Sequence, residues 1–234
     1  MQQQQQREPP FKGPWPVWTI AGAILLSYTL QSFLLTDDQA LAYALVPADL
    51  ARGHWTPLFT AIFIHGGWAH AGMNAVGAVA FGAPSARYLG LRWKGALGFF
   101  LLFLTCGVLA SLGYGLLHLR DAVAMAGASG AVSGLLGAAT RLADQRSKLS
   151  PLITRSVVAS SAAWIVVNAV MGSLHYAPGI GDVQIAWEAH IFGYFAGLLL
   201  IGPFGALFGQ RPPPPDPSPE DQGQDSDASI QSEV

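Results

Sequence analysis

The stretch Ala124–Ala138, AMAGASGAVSGLLGA, is built almost entirely from small side chains, with Gly127 two residues before a lone Ser129 and Gly130 directly after it. From Ser129 to Thr140 the chain is apolar for only 12 residues. A helix of that length rises roughly 18 Å, too little to cross a hydrocarbon core of about 30 Å. Such a segment, with irregular backbone before it, is tolerated at membrane depth only when protein or a water-filled cavity surrounds it. Ser129 is therefore expected to open a short helix inside a bundle of longer ones, in a wet pocket below the outer surface.

The composition agrees. Of 234 residues, 51% are hydrophobic and 11% charged, and the mean hydropathy is +0.37. Soluble domains carry roughly 25% charged residues, so this chain cannot cover a globule with charge and the lipid bilayer is its expected solvent. The net charge of −2 hides an asymmetry: Arg211 to Val234 holds six acids and one base, and the rest eleven bases and eight acids. Nothing points to nucleic acid or fixes an oligomeric state. The single cysteine, Cys106, cannot form an intramolecular disulfide and reads as a small packed hydrophobe. No CxxC, paired Cys/His spacing or HExxH is present, so no metal is expected.

Apolar runs place spans at Trp15–Leu35, Ala69–Arg87, Leu97–Leu117, Ser129–Thr140, Leu152–Met171 and Ala189–Phe208. Thr36 to Gly67 is mixed, with short apolar patches such as LFTAIFI that suit a partly helical first loop. A cleaved signal peptide is the alternative for the first run, with ALAYA as its cleavage site, but signal cores run only about 7–15 residues. The expected fold is all-α and integral to the membrane: a six-helix transmembrane bundle, residues 14–209, with a long external first loop. Residues 1–13 and 210–234 read as disordered tails, the second acidic and proline-rich. Ten Lys and Arg fall on the side of the two termini and two, Arg52 and Arg120, on the other. The positive-inside rule then puts both termini in the cytoplasm, of a bacterial inner (plasma) membrane protein.

Polar groups within spans are costly and mark function. Asn74 lies 13 residues before Arg87, Ser129 lies 12 before Arg141, and His190 lies 13 before Pro203. At about 1.5 Å per residue all three share one level, some 18–20 Å above the inner boundary. Gly130, Gly134 and Gly137 form one small-residue stripe, and Gly193 and Gly197 another just after His190. Such stripes let helix axes approach closely in lipid, which would bring Ser129 beside His190; plain helix packing is the bland alternative. A serine hydroxyl becomes a useful nucleophile when a base takes its proton, and a neutral His190 can do so. The free amides of the helix start can receive an oxyanion. His70 and Asn74, at i and i+4, share a face and can donate into the same pocket, or simply bond to another helix. No Asp or Glu lies within the spans at this depth, and Glu188 points elsewhere on its helix, so a Ser-His dyad is expected rather than a triad.

These residues carry a resemblance. GASG at Gly127–Gly130 is similar to the GxSG motif of the rhomboid intramembrane serine proteases, HAGMN at His70–Asn74 to their HxxxN, and AHIFGYFAG at Ala189–Gly197 to their AHxxGxxxG. AIFIHGGWAH looks like the approach to their second helix, with His65 as the extra histidine. The resemblance covers roughly Trp15 to Phe208. It implies Ser129 as nucleophile and His190 as general base. It implies an oxyanion hole from His70, Asn74 and the Ser129 amide, with Gly127 of the same turn counted among the transition-state contacts. It implies substrates that are single-pass membrane proteins cut near or just inside the bilayer, and no cofactor. Two departures stand out: Trp55-Thr56 replaces a Trp-Arg pair of the first loop, with Arg52 as a possible substitute, and Ser133 occupies a position where an aromatic ring often stacks on the histidine.

Other polar residues read more plainly. His54, His118 and His175 suit solvated or interfacial loop positions more than ligand roles, and His65 a structural role holding the first loop by hydrogen bonds. Six tryptophans fall near span ends as interfacial anchors; Trp164 does not and is expected to pack or face lipid. Asn168, late in the fifth span, has a neighbour to bond but no assigned function. Three rival readings remain: a non-catalytic relative that binds membrane proteins, a transporter, and a metalloenzyme using His65, His70 and His190.

Overall fold

The computed structural model of the chain describes residues 13–142, 149–173 and 186–209. Both tails apart from Gly13, part of the charged loop after Arg141 and His175 lie outside the described residues. Helices form at α1 (Trp15–Leu34), α2 (Asp37–Leu41), α3 (Pro47–Leu50), α4 (Pro57–Thr60), α5 (Trp68–Leu89), α6 (Trp93–Leu117), α7 (Ser129–Leu142), α8 (Arg155–Ser173) and α9 (Trp187–Phe208). The six of 14 residues or more match the six expected spans to within four residues at each end. By length and composition α1, α6, α8 and α9 can each cross a membrane. α5 is diluted by its polar and small residues, and α7, at 14 residues, rises only about 21 Å.

α7 is the centre of the bundle. Gly130, Ala131, Val132, Ser133, Gly134, Leu135, Gly137 and Ala138 are all buried. Their small size is what admits neighbours on three sides. A Cβ at Gly130 would press on Ala110 of α6, one at Gly134 on Cys106 of α6, and one at Gly77 of α5 on Val132. Toward α9 the contact is between backbones: a Cβ at Gly193 would run into the Gly130 carbonyl, one at Gly197 into the Gly134 carbonyl, and one at Gly137 into the Tyr194 carbonyl. The two stripes read from the sequence therefore face each other, as GxxxG pairs do. Cys106 is fully buried, as expected of a small hydrophobe.

The first loop is organised by α2–α4 and a 3₁₀ turn, Ala61–Phe63. Thr36 and Gln39 cap α2 reciprocally. Backbone hydrogen bonds tie this loop to the segment that leads into Ser129. Leu45 and Met125 exchange N–H···O bonds of 2.8 Å in each direction, the Ala48 amide donates to the Asp121 carbonyl at 3.1 Å, and the Gly127 amide donates to the Ala61 carbonyl at 2.8 Å.

Candidate active site

Ser129 is the first residue of α7 and His190 stands in the first turn of α9. The backbone contact between these helices, one turn further in, fixes their separation. Ser129 Oγ lies 2.8 Å from His190 Nε2. His190 Nδ1 lies 2.9 Å from Asn168 Oδ1 on α8. Ser129 and His190 line a cavity of about 510 Å³, together with His70, Asn74 and Trp164.

The turn before α7 explains its glycine. Gly127 has φ +123°, a conformation L side chains rarely adopt. A Cβ there would also sit 2.6 Å from His70 Nε2, with Asn74 Nδ2 at 3.8 Å. Both side-chain nitrogens of the HxxxN pair thus converge on the space beside this turn. The Gly66 amide donates to His70 Nδ1 at 3.4 Å, so the ring's proton belongs on Nε2, the atom facing Gly127. Asn74 Nδ2 is buried and has no hydrogen-bond partner among the described residues, an orphaned donor of the kind that calls for a ligand. The Gly127 amide donates to the Ala61 carbonyl, and the missing Cβ leaves room for the His70 ring. The Ser129 amide belongs to the first helical turn, where N–H groups have no intrahelical acceptor.

Several neighbours differ from their sequence reading. His65 does hold the first loop, but through its backbone: its carbonyl accepts from Gln31 Nε2 at 2.8 Å and its amide donates to Gln31 Oε1 at 3.0 Å. Its ring is buried without a hydrogen-bond partner among the described residues, edge-on to His70 at 5.1 Å. Burial, reinforced by the nearby His70, pushes its pKa down to about 4. His118 is not simply solvated. It is half-buried at the cavity mouth, with Nδ1 2.6 Å from Asp121 Oδ2 and Nε2 3.3 Å from Glu188 Oε1. Glu188 does point away from His190, toward His118. Arg52 pairs with Asp49 at 2.6 Å within the exposed part of the first loop and braces only that turn. Ser133 is buried. Trp164 packs, stacked on Tyr194 at 6.1 Å.

The residue that sequence reading left without a function is Asn168. Its signal was its position: a lone amide on the hydrophobic helix α8, where a polar group needs a partner. Ser129 and His190 line one cavity with Trp164 and the HxxxN pair, and Asn168 reaches His190 from α8, an arrangement equipped for proton transfer between a hydroxyl and an imidazole.

Comparison with known proteins agrees with this architecture. A family model described as the Rhomboid domain matches residues 52–206. The chain is also 27% identical over 177 residues to YdcA of Bacillus subtilis (strain 168), named as a candidate rhomboid protease, covering 76% of this chain and 79% of that protein. With the motifs on α5, α7 and α9 and a domain match over most of its length, the chain belongs to the rhomboid family.

Proposed function

We propose that this protein is an intramembrane serine endopeptidase that hydrolyses peptide bonds of single-pass membrane proteins at or just within the bilayer. The observation that carries the reading is the 2.8 Å approach of Ser129 Oγ to His190 Nε2 inside a cavity that also holds buried donors. His190 takes the hydroxyl proton as Ser129 attacks the scissile carbonyl, then gives it to the leaving amine. Water hydrolyses the resulting acyl-enzyme by the same transfers in reverse order. His70 Nε2–H, Asn74 Nδ2 and the Ser129 amide receive the oxyanion. Asn74 is the group best suited to this, because the donor already stands desolvated and unpaired. The asymmetry of Lys and Arg supports cytoplasmic termini in a bacterial plasma membrane, so that the first loop and the cavity mouth face outward.

The test uses the full chain in detergent or liposomes, with a fluorophosphonate probe and a panel of tagged single-span proteins. The probe should label Ser129, and Ser129→Ala and His190→Ala should abolish cleavage while the fold persists. Asn74→Ala should lower kcat by a factor on the order of 10²–10³. Absence of labelling and cleavage in correctly folded wild type would instead indicate a non-catalytic binder of membrane proteins.

A further inference from the structure

α8 meets the bundle along one stripe: Val157, Ser161 and Asn168 are its buried residues, and Trp164 lies between them at helical spacing. Ser161 Oγ and the Tyr194 hydroxyl are 3.1 Å apart, Trp164 stacks on the same tyrosine, and Asn168 ends the stripe against His190. The amide of Asn168 is oriented by its own helix, since Nδ2 donates to the Trp164 carbonyl at 2.9 Å. That leaves Oδ1, an acceptor only, directed at His190 Nδ1. The ring must then carry its proton on Nδ1 and present a lone pair from Nε2 to the Ser129 hydroxyl. This is the tautomer a general base requires. In soluble serine proteases an asparagine in place of the triad aspartate costs about 10⁴ in kcat through the wrong tautomer. Here the Trp164 carbonyl occupies the N–H₂ group and removes that hazard.

We propose that Asn168 is a positioning residue that fixes the His190 tautomer, making the reacting unit a relay Ser129–His190–Asn168 that is competent while α8 lies against α9. The proposal rests on the reading of Ser129 and His190 as the reacting pair. In the acylation step the hydroxyl proton passes to Nε2, and the Nδ1–H of the resulting imidazolium stays bonded to the amide oxygen. Asn168 accepts no proton. The other titratable groups lining this cavity are His70 on α5, Tyr114 on α6, His118 and Asp121 after it, and Glu188 on α9. All are unchanged in the variants below.

The experiment measures kcat, KM and the fluorophosphonate labelling rate between acid and alkaline pH for wild type, Asn168→Ala and Asn168→Asp, using a tagged single-span protein that the wild type cuts. Asn168→Ala should lower kcat and labelling together by about 10²-fold with KM nearly constant. It should also move the acid limb of the profile to lower pH, because the imidazolium loses its acceptor. Asn168→Asp restores an oxygen acceptor and adds negative charge. It should recover most of the lost rate above the acid limb and move that limb to higher pH. Wild-type kcat and pH profile in a folded Asn168→Ala, or an aspartate variant no better than alanine with the same melting temperature, would overturn the proposal and leave the protease reading intact. A wild type that neither cuts nor labels would overturn both.

Discussion

Among the helices packed against α9, α7 and α8 are joined to it in opposite ways. Against α7 the contact is backbone on backbone, through Gly193, Gly197 and Gly137. Against α8 it is a single row of side chains, and the opposite surface is open, with Val158, Val166 and Val170 at 54%, 60% and 49% exposure. Close-packed glycines leave no slack, because a backbone carbonyl cannot rotate aside as a side chain can. A polar row of hydrogen bonds can part and re-form. The difference teaches that the Ser129–His190 distance is set by the rigid side of α9, and the orientation of the His190 ring by the yielding side.

The largest effect should come from breaking the rigid side. Gly197→Leu drives a branched side chain into the Gly134 carbonyl. Overpacking of this kind costs upward of about 3 kcal/mol where the obstacle cannot move, so the variant should lose its cooperative thermal transition in detergent. A wild-type melting temperature would mean that the two helices are held by something else. Next comes Gly127→Ala, which combines the φ of +123° with a Cβ 2.6 Å from His70 Nε2. Its bundle should persist while kcat falls on the order of 10²-fold, since one oxyanion donor is displaced. A drop in melting temperature as large as that of Gly197→Leu would show that the turn is part of the rigid side. The smallest effect belongs to the yielding side. Ser161→Ala removes the hydrogen bond to Tyr194 at a cost of about 1 kcal/mol, and cleavage should fall by no more than several-fold. A loss matching the glycine variant would mean that α8 is as firmly seated as α7.

Much of this arrangement was legible before any coordinates. Span lengths reveal themselves through apolar runs, the brevity of α7 identifies it as the surrounded helix, and glycine spacing identifies its partner. Counting residues from span ends placed Asn74, Ser129 and His190 on one level because helices rise uniformly. Asn168 escaped for a different reason. Its bond to His190 depends on which way α8 is rotated, and α8 is apolar nearly all round, so periodicity cannot define its inward face. The engagement of the Gly127 amide escaped because its partner, Ala61, opens a three-residue 3₁₀ turn too short to show any period. The His118–Glu188 contact joins a helix end to the start of another across 70 residues, a distance over which local pattern carries no information.

The first loop carries Trp55-Thr56 where an arginine brace is expected, yet the approach to Ser129 is anchored all the same by main-chain bonds with Leu45, Ala48 and Ala61. Bonds of this kind do not depend on which side chains hang from the residues that make them. The exposed side chains of this loop can therefore be rewritten by mutation with little penalty at Ser129, so long as the path of the chain survives. Substitution can re-tailor what the loop meets without moving the start of α7.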